Sequence, residues 1–148
     1  MPDLYKLIVR EGSAKGYHAI GLNYVNDIAV GRVCSASLDA DCFWKVRREV
    51  IDGADRTDLV SVNPSNSIIT RLEKYIAYLD TNFADEGWGQ YLKGDGTVDW
   101  SKVVMGGHSQ GGGHAGVMAK LYKFTRACYF ASPPDWDGGP ADWVGKPN

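Results

Sequence analysis

The sequence predicts an α/β fold in which a parallel sheet is flanked by helices. An apolar run that begins at Val103 is followed by a glycine-rich bend and then by small residues at helical spacing up to Ala119, which indicates a strand, a sharp turn and a helix. A second apolar segment, residues 126–132, has strand length and ends at Pro133-Pro134, which cannot continue a strand. Because strands that alternate with helices form parallel sheets, this order favours a doubly wound sheet.

Three helices are predicted before the glycine-rich bend. The first begins after Asp3 and ends at Gly16, and the second spans residues 41–53 with Asp41 as its cap. The third spans residues 66–83, is capped by Ser65 or Asn66, and carries apolar residues at a spacing of three to four. The apolar face of the third helix should cover one side of the sheet.

The secondary structure of two further segments is predicted from their composition. Residues 17–24 form a short apolar run of strand length, so we expect a strand there. Residues 135–148 are rich in Gly, Pro, Asp and Trp without a period, which is typical of a loop. The aromatic side chains of Trp88, Tyr91 and Trp100 should cluster by packing.

Composition and charge exclude several classes of partner. The chain has 148 residues, of which 44% are hydrophobic and 23% charged, as expected for one globular domain or part of one. A formal net charge of −2 and a pI near 5.9 give no reason to expect a nucleic-acid partner or an anionic membrane. No apolar run reaches the length of a membrane span, and residues 1–3 do not resemble the start of an export signal.

The three cysteines leave the compartment open. Cys34 and Cys42 lie near one another in a polar segment, so they either close a small ring or remain reduced. If they pair, the parent protein is expected to be secreted or periplasmic. Cys128 falls in a predicted buried strand and is interpreted as a small core residue. We expect no metal site, because the spacing does not suit zinc and no histidine lies near the two cysteines.

The glycine-rich bend contains a catalytic motif. Residues 107–111 read Gly-His-Ser-Gln-Gly and match G-x-S-x-G, in which a serine is exposed on a strained turn between a strand and a helix. Side chains at positions 107 and 111 are predicted to collide with the doubled-back chain, which only glycine avoids. Ser109 is thus the candidate nucleophile. The N–H of Gln110, at the positive end of the helix, is the candidate first donor to an oxyanion.

With these residues in view, the chain resembles the α/β-hydrolase family. The resemblance lies in residues 99–112 and 127–133, and Gly-His-Ser-Gln-Gly-Gly is similar to the nucleophile elbow of esterases and lipases. It implies hydrolysis of a small-molecule carboxylic ester through an acyl-enzyme, without a cofactor. It also implies that residues 1–148 form a single partial α/β-hydrolase domain, which lacks the N-terminal strands and the C-terminal part of the fold. The sequence leaves the oligomeric state open.

A general base is missing from the expected place. The family order is serine, then an acid, then histidine. His18 and His108 both precede Ser109. His114 lies five positions after Ser109 in the predicted helix and is rotated by about 140° from it, so we interpret His114 as a packing or helix-surface residue. A chain without the base would lose several powers of ten in rate.

The triad acid and the second oxyanion donor are also unassigned. Asp135, Asp137 and Asp142 follow the motif, and Asp135 is the best placed of the three. Its position one strand too early favours a role in anchoring the loop beyond Pro134 or lining the rim of a pocket. The resemblance implies that the second donor lies upstream of Met1.

Two alternatives to a working hydrolase remain open. The first is a catalytically incomplete, hydrolase-derived fragment or binding module. The second is a dinucleotide-binding βαβ unit, because Gly111, Gly113 and Gly116 also match G-x-G-x-x-G, with Asp135 further along. Against the second stands the position of Gly111, which should be inside the helix and not at the end of the strand. A Walker motif is excluded, since no Lys-Ser or Lys-Thr follows these glycines.

Overall fold

The computed structural model describes residues 5–136 and 138–145. Within them the chain is a mixed α/β structure with helices and a small parallel sheet, which confirms the predicted class at that level. No helix in this part of the chain is both long enough and apolar enough to cross a bilayer. The elements in order are α1 (Lys6–Ala14), α2 (Val30–Cys34), α3 (Cys42–Asp52), α4 (Ile68–Asn82), β1 (Val104–His108), α5 (Gln110–Leu121), β2 (Arg126–Phe130) and α6 (Asp142–Gly145).

The sheet consists of β1 and β2, which pair in parallel from Val104 opposite Arg126 to His108 opposite Phe130. Helix α5 connects the two strands and packs on one face of the pair. The opposite face is less covered, because Val104 is 49% and Phe130 46% exposed. Cys128 is therefore only partly buried, and the expectation of a fully buried strand is wrong for the described residues.

The hydrophobic core lies between α3, α4 and α5. It is built mainly from apolar side chains of α3 at the predicted helical spacing, joined by Ile68 at the start of α4 and by Val117 and Met118 of α5. The members with the least exposure are Val46, Ile51, Val117 and Met118. A disulfide joins Cys34 to Cys42 and so fastens α2 to the start of α3. The pairing that the sequence left open is thus formed.

The ends of α3 and α4 have local causes. Helix α3 stops at Gly53, whose φ of 76° is left-handed and whose missing side chain leaves room for the backbone of Pro64. Helix α4 is capped by Ser67, whose hydroxyl accepts a hydrogen bond from the N–H of Thr70. The cap therefore lies one or two residues beyond the predicted Ser65 or Asn66.

Three expectations about individual segments are corrected. Residues 17–24 form no strand, because both described strands pair with each other and neither extends a ladder to this segment. The segment after Pro134 is not all loop, since α6 begins at Asp142. Trp100 stacks on Tyr122, with ring centres 4.8 Å apart, and not on the pair formed by Trp88 and Tyr91.

Candidate active site

Ser109 occupies the junction between β1 and α5. Its backbone has φ 50° and ψ −119°, a combination that non-glycine residues rarely adopt, and the residue is exposed. Its N–H donates to the carbonyl of Phe130 at 2.9 Å, so the serine continues the pairing of β1 with β2 by one bond. Such backbone geometry costs about 1–3 kcal/mol and persists only where the surrounding structure enforces it.

Glycines on both sides of Ser109 permit this bend. A Cβ atom on Gly107 would lie 2.3 Å from the backbone of Gly111, so the predicted collision at position 107 is present. A Cβ on Gly111 would meet nothing closer than the hydroxyl of Tyr24 at 3.6 Å, so the collision predicted at position 111 is wrong. The second tight position is Gly112, where a Cβ would lie 2.4 Å from the side chain of Ser132. At the start of the helix, Gly111 therefore has space towards Tyr24, whereas Gly112 is in close contact with the loop after β2.

Gln110 is the first residue of α5 and lies beside the exposed serine. Its N–H has no carbonyl acceptor within the helix, as is general for the first residues of a helix. Its side chain is held by three hydrogen bonds: Oε1 accepts from the N–H of Val30 at 2.8 Å, and Nε2 donates to the carbonyl of Ile28 at 2.9 Å and to Oδ1 of Asn26 at 2.5 Å. The sequence did not indicate this role, because the partners lie far upstream.

Arg47 of α3 lies directly behind the bend and is fully buried. Its Nη1 donates to the carbonyl of Gln110 at 2.9 Å, and its Nε donates to Oδ2 of Asp135 at 2.6 Å. Its Nη2 donates to Oδ1 of the same carboxylate. Gly113 leaves the space for this guanidinium, since a Cβ there would lie 2.2 Å from Cζ of Arg47. Sequence reasoning missed Arg47, because an arginine on an amphipathic helix usually indicates an exposed face.

Asp135 is buried as the counter-ion of Arg47 and also accepts a hydrogen bond from the indole N–H of Trp143 at 2.7 Å. It therefore anchors the segment beyond Pro134, one of the two roles that the sequence favoured. Both of its carboxylate oxygens already accept hydrogen bonds. Asp142 is exposed at the start of α6, and Asp137 lies outside the described residues.

Two of the three histidines lie on the surface with aromatic partners. Nδ1 of His18 is 2.7 Å from the hydroxyl of Tyr91, and the ring lies against Trp88. Nδ1 of His108 is 3.2 Å from the hydroxyl of Tyr5. Neither contact directs an imidazole to the hydroxyl of Ser109.

His114 lies in the interior of α5. It is only 1% exposed, and neither ring nitrogen has a hydrogen-bond partner. The ring of Tyr24 meets it edge to face, with centres 5.1 Å apart. Burial, and secondarily the positive charge of Arg47, hold the pKa of His114 well below its usual value. The packing role is thus observed, and His114 is buried as a neutral ring.

Two glycines of the G-x-G-x-x-G pattern have a packing explanation, and the first lies in the wrong place for dinucleotide binding. Gly111 is the second residue of α5 and not the end of β1. Gly113 accommodates Arg47, and a Cβ on Gly116 would lie 3.0 Å from the ring of Trp143. Asp135, the residue that would bind a ribose, is held by Arg47. Across the described ranges there is also no cluster of His, Cys, Asp and Glu that could hold a metal ion.

Comparison with known proteins adds no further assignment. No protein-family model, curated protein or solved structure matches this chain. The functional argument therefore depends on the geometry of Ser109 and its surroundings.

Proposed function

We propose that this chain carries the nucleophile of a serine hydrolase that acts on carboxylic esters, within an α/β-hydrolase domain. The observation that supports this most is Ser109 itself, an exposed serine with a strained positive φ between a parallel strand and a helix. A serine in an ordinary glycine-rich turn has no need of this backbone conformation. The enforced bend at Gly107 and Gly112 is consistent with a hydroxyl that is held out for reaction.

In the proposed reaction, Oγ of Ser109 attacks the carbonyl carbon of the ester and a general base removes the hydroxyl proton. The oxyanion that forms accepts a hydrogen bond from the N–H of Gln110 and lies at the positive end of the α5 dipole. Breaking of the bond to the alcohol oxygen, which takes up the proton, leaves the acyl-enzyme. Water then releases the acid and restores the serine.

The proposal assigns neither the base nor the triad acid to a described residue. His18, His108 and His114 each contact a tyrosine, and Asp135 is committed to Arg47. No metal or organic cofactor takes part in the proposed chemistry. The disulfide between Cys34 and Cys42 supports a site of action in an oxidising compartment.

A fluorophosphonate probe tests the proposal, because it phosphonylates only activated serines. We expect adduct formation at Ser109, located by peptide mass mapping, and its loss in Ser109→Ala. Ser101→Ala is the matched control, since Ser101 is also exposed but lies before β1, where its hydroxyl donates to the carboxylate of Asp99. The experiment is run with and without imidazole, which can replace a missing base. A folded protein that remains unlabelled under both conditions contradicts the proposal and favours a binding module.

A further inference from the structure

We propose that a cavity beside Gln110 binds a short, uncharged aliphatic group, namely the acyl chain of the ester; this identification of the ligand as an acyl chain rests on the proposed function. The cavity lies between the segment that precedes α2, the C-terminal half of α3 and the segment that precedes α4. Six of its nine lining residues are branched and apolar: Val25, Ile28, Val30, Val50, Val60 and Val62.

The size of the cavity limits its occupant. Its volume is about 220 Å³, which is below the roughly 300–1,000 Å³ of pockets that hold drug-sized ligands. At about 30 Å³ for a water-sized group, roughly seven non-hydrogen atoms fit. A branched or straight acyl chain of about five carbons is therefore accommodated, whereas a long fatty chain would have to leave the cavity.

Gln110 connects the cavity to the nucleophile. It lines the cavity and directly follows Ser109 in the chain. In the proposed assignment, the carbonyl end of the acyl group faces Ser109 and its chain lies beyond Gln110. The three hydrogen bonds to Asn26, Ile28 and Val30 fix the glutamine side chain as part of the wall. Because the wall is already ordered, little conformational entropy is lost when a ligand binds.

The polar groups of the cavity select an uncharged ligand. Besides Gln110, only Asp27 and Ser61 among the lining residues carry polar side chains, and both are exposed at the rim. None of the lining residues is basic, so none can pair with the carboxylate of a free acid. The negative side chain of Asp27 repels a free acid, so the neutral ester is favoured over its acid product.

The binding test uses Ser109→Ala, in which no acylation occurs, and follows the valine methyl groups by NMR during titration with isovaleramide or isovalerate. We expect isovaleramide to shift the methyl signals of Val30, Val60 and Val62, and isovalerate to bind more weakly. Asp27→Asn should reduce the difference between amide and acid. Unshifted cavity methyls, or shifts confined to other valines, overturn the proposal whatever the result of probe labelling.

Two opposite substitutions at Val60 give a second test on the protein with Ser109 intact. Val60 is partly exposed and packs at the edge of the core, so a change there alters no fully buried core residue. Val60→Phe fills the cavity and should abolish the methyl shifts, whereas Val60→Ala enlarges it and should extend the preference to longer chains. In phosphonylation of Ser109 by probes with propyl and hexyl groups, the ratio of rates should differ by about tenfold between the two variants. If the two variants show the same ratio of labelling rates, Ser109 remains the assigned nucleophile and the proposed acyl pocket is wrong.

Discussion

Arg47 and Asp135 form an ion pair in which both side chains are sealed from solvent behind Ser109. The arginine comes from α3, and the aspartate comes from the segment after β2. Arg47 also binds the carbonyl of Gln110, and Asp135 also binds Trp143. One buried pair therefore fixes the start of α5 relative to α3 and to the segment that contains α6.

Removal of either charge should destabilise the fold strongly. Arg47→Met leaves the carboxylate of Asp135 buried without its cation, and Asp135→Leu leaves the guanidinium without its anion. A broken buried pair typically costs about 3–5 kcal/mol of stability, because the remaining charge is unpaired in the low-dielectric interior of the protein. Urea unfolding followed by circular dichroism measures the loss.

The double variant Arg47→Met/Asp135→Leu separates the charge from the packing. Replacement of both ions by apolar groups removes the unpaired charge, so we expect the double variant to be more stable than either single one. If the two losses simply add, the pair is not coupled and the anchoring role argued for Asp135 is wrong.

The glycines around the bend should differ sharply in their tolerance of alanine. Gly107→Ala brings a Cβ within 2.3 Å of the Gly111 backbone, which cannot give way as a flexible side chain can. A loss of several kcal/mol is therefore expected from overpacking and distortion of the bend. Gly111→Ala finds space, and alanine favours the helix, so its effect should lie between zero and a gain of about 1 kcal/mol. Equal losses for the two variants in urea unfolding would contradict the geometry of the bend.

The strain at Ser109 should be measurable as a difference between two substitutions that both remove the hydroxyl. Ser109→Gly relieves the φ of 50°, whereas Ser109→Ala keeps it. Relief of about 1–3 kcal/mol of strain exceeds the conformational entropy cost of glycine, about 0.5–1 kcal/mol. The glycine variant should therefore unfold at a higher urea concentration than the alanine variant. Ala131, in the equivalent position after β2 with φ 48°, provides the matched comparison as Ala131→Gly.

The parts of this structure that local sequence determines were predictable. The spacing of apolar residues in α3 and α4, the stop at Gly53, and the strand, bend and helix around Ser109 all depend on residues within a few positions of each other. Short-range sterics and helix capping are sufficient for such elements.

The parts of the structure that depend on distant partners could not be predicted from the local sequence. The strand expected over residues 17–24 required a neighbour that neither β1 nor β2 supplies. Arg47 and Asp135 are 88 positions apart, and Gln110 and Val30 are 80 apart, so no local pattern connects them. The site behind the nucleophile is assembled from α2, α3 and the segment after β2. Only the nucleophile itself had a sequence signature.

The disulfide should contribute to stability through the small loop that it closes. Cys34 and Cys42 are separated by 8 positions, and the chain-entropy relation gives about 2.5 kcal/mol for a loop of that length. The variant Cys34→Ala/Cys42→Ala should lose about that amount in urea, and wild-type protein unfolded in reducing agent should lose a similar amount. Because α2 carries Val30, which binds Gln110, we also expect faster amide exchange at Val30. Unchanged stability under reducing conditions would show that the bond is absent or without effect.

His114 should make the fold sensitive to mild acid. Burial, and secondarily Arg47, lower the pKa of His114 in the folded state below the usual 6.5, so the unfolded chain takes up a proton more readily than the folded one. Stability from this neutral ring is thus complete above pH 6.5 and is lost as the pH falls below that value, with a slope approaching about 1.4 kcal/mol per pH unit. Unfolding in urea at pH 7.5, 6.5 and 5.5 measures the slope.

In His114→Leu the slope between pH 6.5 and 5.5 should be shallower, and stability at pH 7.5 should be equal or higher, because two unpartnered nitrogens are removed. The matched control is His108→Leu at an exposed position; a shallower slope in this variant and not in His114→Leu would assign the acid sensitivity to the surface instead.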